Sequence, residues 1–192
     1  MMPQIILASS SPRRQAYFKD MGLSFEVVVP DIDEAPYKGE KPADYVKRIA
    51  LQKALKVANA HSGKVVVAAD TTVALGRRIL GKPDTATQAA DMLRLMSGRR
   101  QRVLTAVCVV DASGSIHEIM TSTVVKIKPL SQRDIEWHIS TADNWQGKAG
   151  GYGIQTTAGG LLVKSVLGSH TGVVGLPLVE TCNLLRRCGV AL

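Results

Sequence analysis

The chain has 192 residues, with 24 lysines and arginines against 16 aspartates and glutamates, so its formal net charge is +8. An apolar fraction of 45% and a charged fraction of 21% are typical of a globular protein, and they exclude collagen-like, disordered and coiled-coil chains. The longest apolar runs, such as Val65 to Ala69, are far shorter than the roughly 20 residues of a membrane-spanning helix. We therefore expect no membrane partner.

The cysteines and the N-terminus indicate the compartment. Cys108, Cys182 and Cys188 are odd in number and show no C-x-x-C spacing, which favours free thiols over a disulfide framework or a zinc site. No basic segment followed by a long apolar core precedes the first predicted strand, so no secretory signal is visible. Both observations predict a cytoplasmic location.

The excess of positive charge is spread evenly along the chain. Residues 1–96 carry 14 basic and 10 acidic side chains, and residues 97–192 carry 10 and 6. Such a balance suits a nucleic acid, a small polyanionic substrate or simple solubility. The aromatic content of 4% offers few stacking platforms, which argues against single-stranded nucleic acid as a partner.

The first half of the chain predicts alternating strands and helices. Pro12 and Gly22 bracket the first helix, and Pro42 opens a longer one. The predicted elements are a strand at Ile5–Ala8, a helix at Arg13–Met21, a strand at Phe25–Pro30, a loop at 31–41, a helix from Pro42 to near Gly63, a strand at Lys64–Ala69 and a hairpin at Thr72–Leu80. The strand at Lys64–Ala69 would place Asp70 at its carboxyl end.

The second half continues the alternation. Thr85 with Gln88, and Ser131 with Asp134, have the spacing of helix-capping boxes. The predicted elements are a helix from Thr85 to Gly98, a hairpin of Arg102–Val110 and Ile116–Ile127, a helix after Ser131, a polar glycine-rich segment at 141–160, a strand at Leu161–Leu167, a polar loop at 168–177 and a helix at Leu176–Arg187. This order predicts an α/β fold with a mixed central sheet flanked by helices. No repeat or linker divides the chain, so we expect a single domain over residues 1–192.

A candidate anion pocket lies between the first strand and the first helix. Ser9, Ser10 and Ser11 supply hydroxyl groups, and Arg13 and Arg14 supply guanidinium groups that bind phosphate bidentately. The positive end of the helix dipole points out of the same junction. The alternative is that one serine caps the helix and both arginines are solvated.

Carboxylates form the second candidate group. Asp70, after a buried strand, could hold a divalent cation or activate a water, and Asp31, Asp33 and Glu34 add further carboxylates in the acidic loop. Polyphosphate hydrolysis uses such groups together with cations that neutralise the phosphates. The alternatives are a strand-end aspartate in a turn and a solvated acidic loop.

Two lysines and a glycine-rich segment complete the candidates. Gly76, Gly81 and Lys82 fit the spacing of a P-loop, but Pro83 replaces its metal-binding hydroxyl residue, so we reject an ATPase of that class. Lys53 and Lys82 could reach a phosphate, although a lysine in a helix is most often solvated. The glycines of the segment 148–155 would permit close backbone approach to a ligand. In this segment, Tyr152 either stacks on a base or packs internally, and Gln155 could read a base edge.

Together these segments resemble the Maf family of nucleoside triphosphate pyrophosphatases, and the likeness extends over nearly the whole chain. The matching motifs are IILASSSPRR at 5–14, the pair Asp33-Glu34, Lys53 in its helix, AADTTV at 68–73, GKP at 81–83, SGR at 97–99, KAGGYGIQ at 148–155 and VVGLPL at 173–178. The resemblance implies a fold similar to inosine triphosphate pyrophosphatases, with two lobes around one cleft. It also implies hydrolysis of a nucleoside triphosphate to the monophosphate and pyrophosphate.

The resemblance implies roles for individual residues. Asp70 would be the proton acceptor that activates water, and Glu34 with Asp70 would hold a divalent cation, Mg²⁺ or Mn²⁺. The residues that determine the choice of substrate would be Arg13, Thr71 and Gln155. The residues that contact the triphosphate would be Ser9, Arg14, Lys53 and Lys82. A homodimer and an association with septum formation are also implied.

Three functional hypotheses remain open. The segment 148–155 resembles the branch that acts on dTTP, UTP and their modified pyrimidine analogues, where hydrolysis would keep modified nucleotides from being incorporated. A pyrophosphatase for 7-methyl-GTP or another modified purine triphosphate is the first alternative. A division-regulating nucleic-acid-binding protein without turnover is the second, suggested by the charge and by the cluster Arg99, Arg100 and Arg102.

Overall fold

The computed structural model describes residues 4–192, which form seven strands and eight helices. In chain order the elements are β1 (Ile5–Leu7), α1 (Pro12–Asp20), β2 (Phe25–Val27), α2 (Pro42–Ala58), β3 (Val65–Leu75), β4 (Arg78–Leu80), α3 (Ala86–Met96), β5 (Arg100–Val110), β6 (Ile116–Ile127), α4 (Gln132–Ile139), α5 (Ala142–Trp145), a 3₁₀ turn (Ala149–Gly151), α6 (Thr157–Gly160), β7 (Val163–Leu167), α7 (His170–Val174) and α8 (Leu178–Arg187).

The strands form one mixed sheet, as predicted. Its order is β2-β1-β3-β5-β6-β7, with β4 paired to β3. The pairs β1–β2 and β1–β3 are parallel, with Ile5 opposite both Phe25 and Val65. The pairs β3–β4 and β6–β7 are antiparallel. The α/β fold class is therefore confirmed.

The chain divides into two compact units. Among the described residues, unit 1 comprises residues 4–70, 105–121 and 175–192, and unit 2 comprises residues 71–104 and 122–174. In unit 1 the apolar residues of β1 and β3 pack against Phe18 of α1 and Leu184 and Leu185 of α8. Unit 2 has its own core, in which Leu93 and Met96 of α3 pack with Val125 and Ile127 of β6. The expectation of a single domain with two lobes stays a prediction.

Local signals correctly located most helix boundaries. Pro12 and Pro42 occupy the first turns of α1 and α2, where a missing backbone N–H costs nothing. Ser131 and Asp134 form the predicted capping box of α4. Thr85 caps α3, but Gln88 accepts from the backbone N–H of Asp84, so only half of the predicted box is present.

Several boundaries differ from the prediction. The second strand ends at Val27, α2 ends at Ala58, and β7 begins at Val163. The predicted loop before the last helix contains the short helix α7, and α8 begins at Leu178, after Pro177. In α7 the amide N–H groups of Val173 and Gly172 bond to the Ser169 carbonyl and hydroxyl, a hydroxyl cap that a search for apolar periodicity does not detect.

All three cysteines are free, Cys108 buried and Cys182 and Cys188 half-buried. Among residues 4–192, no helix combines the length and apolar character that crossing a membrane would require.

Candidate active site

A buried lysine joins two carboxylates in unit 1. Lys53 Nζ lies 2.9 Å from Asp70 Oδ1 and 2.9 Å from Glu34 Oε1. The side chains of Lys53 and Asp70 are 8% and 10% exposed, whereas that of Glu34 is 42% exposed. The expectation of a solvated helical lysine is therefore wrong: Lys53 lies on the buried face of α2, in line with Ile49 and Ala50.

Asp70 occupies a different part of its strand from the predicted one. It is not at the end of β3 but in its middle, because β3 runs on to Leu75. Thr71, Thr72 and Val73 are β-branched and favour extended backbone, and Val73 pairs with Leu80 of β4. The parallel partner β1 stops opposite Val67, so Asp70 still lies beyond the end of the parallel pairing with β1.

The loop that carries Glu34 is fastened to α2. Tyr45 donates from its hydroxyl to the Glu34 carbonyl at 3.0 Å, and Arg48 donates to the Ala35 carbonyl at 3.0 Å. Arg48 also forms two 2.7 Å bonds to the Glu40 carboxylate and stacks 3.9 Å from the Tyr37 ring. These contacts hold Glu34 near Lys53, and they were not anticipated from the sequence.

Only Glu34 of the three loop carboxylates reaches Lys53. Asp33 accepts from the backbone N–H of Ala35 at 2.8 Å, which is a local turn contact. Asp31 and Asp33 line a separate cavity of about 420 Å³ with Tyr37 and Lys56. The signal for the fastened loop was the spacing of Tyr45, Arg48 and Gln52 along one face of α2, since Arg48 also donates to Gln52.

Arg14 is buried at the start of α1. Its Nε donates to the Gly175 carbonyl at 2.8 Å, and its Nη1 lies 3.4 Å from Ser9 Oγ. Burial lowers the pKa of Arg14, while Asp70 and Glu34 act in the opposite direction and Arg13 lowers it further. Burial also lowers the pKa of the half-buried Arg13. The alternative of two solvated arginines is therefore wrong for Arg14.

The serines at this junction do not cap α1 in the expected way. Ser11 is the N-cap residue, but its side chain makes no capping hydrogen bond. Ser9 instead accepts from the backbone N–H of Ser11 at 3.1 Å. Unit 1 thus brings six of the candidates to neighbouring positions on its elements: Ser9, Arg13, Arg14, Glu34, Lys53 and Asp70.

The same two carboxylates affect the pKa of Tyr45. Burial, together with the nearby charges of Asp70 and Glu34, raises the pKa of its hydroxyl to about 12. The phenol therefore stays protonated and acts as a hydrogen-bond donor to the loop. This part of unit 1 therefore places two carboxylates against cationic groups, and burial shields Asp70 from most of the solvent.

The remaining three candidates, Thr71, Lys82 and Gln155, belong to unit 2. Lys82 and Gln155 are exposed, and Thr71 is half-buried. The segments that carry Lys82 and Gln155 meet, because the backbone N–H of Gly150 donates to the Gly81 carbonyl at 2.9 Å.

The glycine-rich segment is tightly packed. A Cβ at Gly159 would lie 2.0 Å from the Gly153 carbonyl oxygen, and one at Gly153 would lie 2.9 Å from the Lys148 side chain and 3.1 Å from the Gln155 amide. Thr156 donates to the same Gly153 carbonyl at 2.9 Å and caps α6. These glycines therefore allow the segment to pack closely on itself, and close approach of a ligand to them stays a prediction.

Tyr152 packs internally. It is 5% exposed, its hydroxyl accepts from the Gln101 amide at 3.1 Å, and burial raises its pKa to about 12. The packed alternative is therefore confirmed. His138, which was not among the predicted site residues, is fully buried, and its Nε2 lies 3.0 Å from the Gly151 carbonyl oxygen. Its only signal in the sequence was its place beside Ile135 and Ile139 on the apolar face of α4.

Glu34 and Asp70 are the predicted ligands of a divalent cation. Glu34 and Asp70 converge on one cationic nitrogen, and two carboxylates facing one point are oxygen donors of the kind that Mg²⁺ and Mn²⁺ prefer. Among residues 4–192, the only group of three or more close donors is Asp111, His117 and Cys188, which is a different set. The residues present therefore fit the predicted divalent cation.

Two solved structures have a fold similar to that of this chain. The solved HAM1 protein of Coxiella burnetii is similar with a TM-score of 0.55 at 16% identity, covering 97% of this chain and 100% of that one. The Ham1 protein of Staphylococcus aureus gives a TM-score of 0.53 at 17% identity, covering 96% of each chain. At these identities the likeness concerns the fold alone.

Sequence comparison is more specific. A chain of Roseobacter denitrificans named dTTP/UTP pyrophosphatase is 50% identical over 185 residues, covering 96% of each protein. Relatives with the same name from Zymomonas mobilis and Sphingopyxis alaskensis are 47% and 46% identical, covering 98% and 100% of this chain and 93% and 100% of their own. The family model for Maf-like protein matches residues 4–188, and the chain belongs to that family.

Proposed function

We propose that this chain hydrolyses dTTP and UTP, together with modified pyrimidine analogues, to the nucleoside monophosphate and pyrophosphate. The observation that carries the proposal is the buried contact of Lys53 with Asp70 and Glu34 beside the buried Arg14. The full-length relatives named dTTP/UTP pyrophosphatase supply the substrate class. Keeping modified nucleotides out of nucleic acid is the cellular role that follows.

The cations bind the triphosphate. Arg14 is oriented by the Gly175 carbonyl and Ser9, so its guanidinium group is held in a fixed direction. Lys53 is a compact point charge that exchanges a carboxylate partner for a phosphate oxygen when the substrate binds. Lys82 adds a further cation, and Arg13, Thr71 and Gln155 set the substrate choice.

Asp70 is the proposed base. A water attacks Pα, its proton passes to the Asp70 carboxylate, and the bond from Pα to the bridging oxygen breaks so that pyrophosphate leaves. Glu34 and Asp70 would hold Mg²⁺ or Mn²⁺, which when bound neutralises phosphate charge and favours ionisation of water. Asp70 is buried, so solvent screens its charge only weakly.

Release of pyrophosphate from purified chain tests this function. With Mg²⁺ or Mn²⁺ present, dTTP and UTP should be hydrolysed, and Asp70→Asn should lose about two to four orders of magnitude in kcat while keeping the side-chain size. Asp91→Asn is the matched control, because Asp91 is an exposed partner of Arg94 on α3 and should leave turnover unchanged. Full turnover in Asp70→Asn would remove it from the mechanism.

A substrate panel separates the alternatives. We expect dTTP, UTP and 5-methyl-UTP to be hydrolysed faster than 7-methyl-GTP and ITP. A preference for 7-methyl-GTP would replace the pyrimidine assignment with the purine alternative while keeping the chemistry. Salt-sensitive retention on DNA without any hydrolysis would support the nucleic-acid-binding alternative.

The proposal includes a cytoplasmic enzyme that forms a homodimer and has a link to septum formation. Free thiols at all three cysteines and a nucleoside triphosphate substrate support the location. Light scattering of the purified chain tests the dimer directly.

A further inference from the structure

An aspartate, a histidine and a cysteine converge in unit 1, on elements that differ from those of the candidate active site. Asp111 follows β5, His117 is the second residue of β6, and Cys188 is the C-cap residue of α8. One donor atom of each lies within 4.8 Å of the other two, and all three residues are half-buried. The shortest contact is 2.8 Å, between His117 Nε2 and Asp111 Oδ2.

The carboxylate is oriented by its surroundings. Asp111 Oδ1 accepts from the backbone N–H of Ser113 at 2.9 Å, from the Ser113 hydroxyl at 2.6 Å and from the backbone N–H of Ser115 at 3.0 Å. These three bonds occupy Oδ1 and leave Oδ2 facing His117. Outer contacts that fix a ligand in this way are typical of protein metal sites.

The thiol is held by a rigid element. The backbone N–H of Cys188 bonds to the carbonyls of Leu184 and Leu185, and both leucines belong to the core of unit 1. The packing of α8 therefore fixes the backbone of Cys188, from which its sulfur projects. The hairpin of β5 and β6 fixes the other two donors.

The donor set selects a class of metal. Sulfur, imidazole nitrogen and one carboxylate oxygen are ligands of Zn²⁺, which takes four donors in a tetrahedron at about 2.0–2.3 Å. Four such donors lie roughly 3.3–3.8 Å apart. The 2.8 Å contact between His117 and Asp111 would lengthen, and separations of up to 4.8 Å would shorten, by side-chain shifts on the order of 1 Å. Mg²⁺ and Mn²⁺ prefer oxygen and suit the Glu34 and Asp70 pair instead.

We propose that Asp111, His117 and Cys188 form a binding site for Zn²⁺ or a similar borderline-soft cation, with water as the fourth ligand. The bound ion ties the end of α8 to the β5–β6 hairpin and stabilises unit 1. The sequence predicted no zinc site, because 70 residues separate His117 from Cys188 and no ligand spacing is visible. This site is independent of the proposed hydrolysis.

Titration of the full chain with Co²⁺ tests the site. Co²⁺ replaces Zn²⁺ in tetrahedral sites and gives a thiolate-to-metal charge-transfer band only where sulfur is bound. We expect one equivalent of Co²⁺ to produce this band in the wild type, and added Zn²⁺ to abolish it. Binding at Glu34 and Asp70 involves no sulfur and gives no such band.

Two cysteine variants make the test specific. Cys188→Ser should lose the charge-transfer band, whereas Cys182→Ser, a change in the same helix but outside the cluster, should keep it. His117→Gln should weaken Co²⁺ binding. Absence of the band in the wild type, or its persistence in Cys188→Ser, would overturn the proposal.

A measurement on the wild type does not depend on how the variants fold. Alkylation of each cysteine is followed by peptide mass spectrometry with and without Zn²⁺. We expect Zn²⁺ to slow alkylation of Cys188 by about tenfold or more relative to Cys182, because a bound thiolate is shielded. Equal alkylation rates with and without Zn²⁺ would refute the site.

Discussion

Lys53→Met isolates the energetic role of the buried lysine. The variant keeps the apolar stem in α2 and removes the ammonium that lies 2.9 Å from Asp70 Oδ1. The Asp70 carboxylate is then left buried without its closest cation. Removing one partner of a buried ion pair costs about 3–5 kcal/mol.

The structure places this variant at the low end of that range. Glu34 is 42% exposed and is rehydrated when the ammonium is lost, and Arg14 still acts on Asp70 electrostatically. We therefore expect a loss of about 3 kcal/mol in the free energy of unfolding. For a chain of this size that corresponds to a fall of about 6–12 °C in Tm.

Urea denaturation of four chains measures the effect: wild type, Lys53→Met, Asp70→Asn and the double variant. Since the amide of Asp70→Asn needs no counter-charge, the double variant should be more stable than the sum of the two single changes predicts, by about 1 kcal/mol or more. Lys56→Met is the matched control, because Lys56 is exposed on the same helix and should change stability by about 0.5 kcal/mol or less. Additive costs in the cycle would refute the reasoning.

Three further variants test other parts of the structure. Gly159→Ala should destabilise the chain by about 1–3 kcal/mol in urea denaturation, because its Cβ would lie 2.0 Å from the Gly153 carbonyl oxygen, and equal stability would contradict this packing. Arg14→Lys keeps the charge but loses the directed guanidinium bonds, so kcat/KM for dTTP should fall about tenfold or more, and an unchanged value would leave charge alone as its role. Burial lowers the pKa of His138, and Lys148 adds to that effect, so its imidazole stays neutral when folded. As pH falls through about 6.5, the ordinary pKa of histidine, the unfolded chain takes up the proton first, and the free energy of unfolding therefore decreases. The variant His138→Gln, which can still bond to Gly151, should lack this decrease between about pH 7.5 and 5.5. Parallel curves of the free energy of unfolding against pH for the two chains would contradict this prediction.

Patterns confined to a few neighbouring residues predicted most of the fold. The apolar run Val65–Ala69 is buried on both faces, as expected of a strand in a parallel pair, and the prolines at 12 and 42 marked two helix starts. The prediction for β3 failed at Asp70 because a charged residue resembles the end of a buried strand. The hairpin predicted at Thr72–Leu80 is present as β3 paired with β4, but its first strand continues directly from the buried run, without a break at Asp70.

The candidate site was predictable in residue type but not in geometry. The motif between β1 and α1 indicated phosphate binding, yet nothing in it shows that Arg14 is anchored by a carbonyl 161 residues away. In the same way, Tyr45 and Arg48 fasten the loop of Glu34 only because α2 packs beside it. Contacts between distant segments depend on how elements pack, and a single sequence carries no direct record of them.

The burial of Arg14, Lys53 and Asp70 is itself the physical argument for assigning them a function. Transferring charged groups out of water is costly, and apolar side chains of similar volume would commonly stabilise the same positions. The rest of the unit 1 core is uncharged and mostly apolar, so the fold could have been completed without these charges. A chain that nevertheless places two cations and a carboxylate there holds them ready for a charged ligand, and preorganised charge in a poorly hydrated site is what stabilises the transition state of phosphoryl transfer.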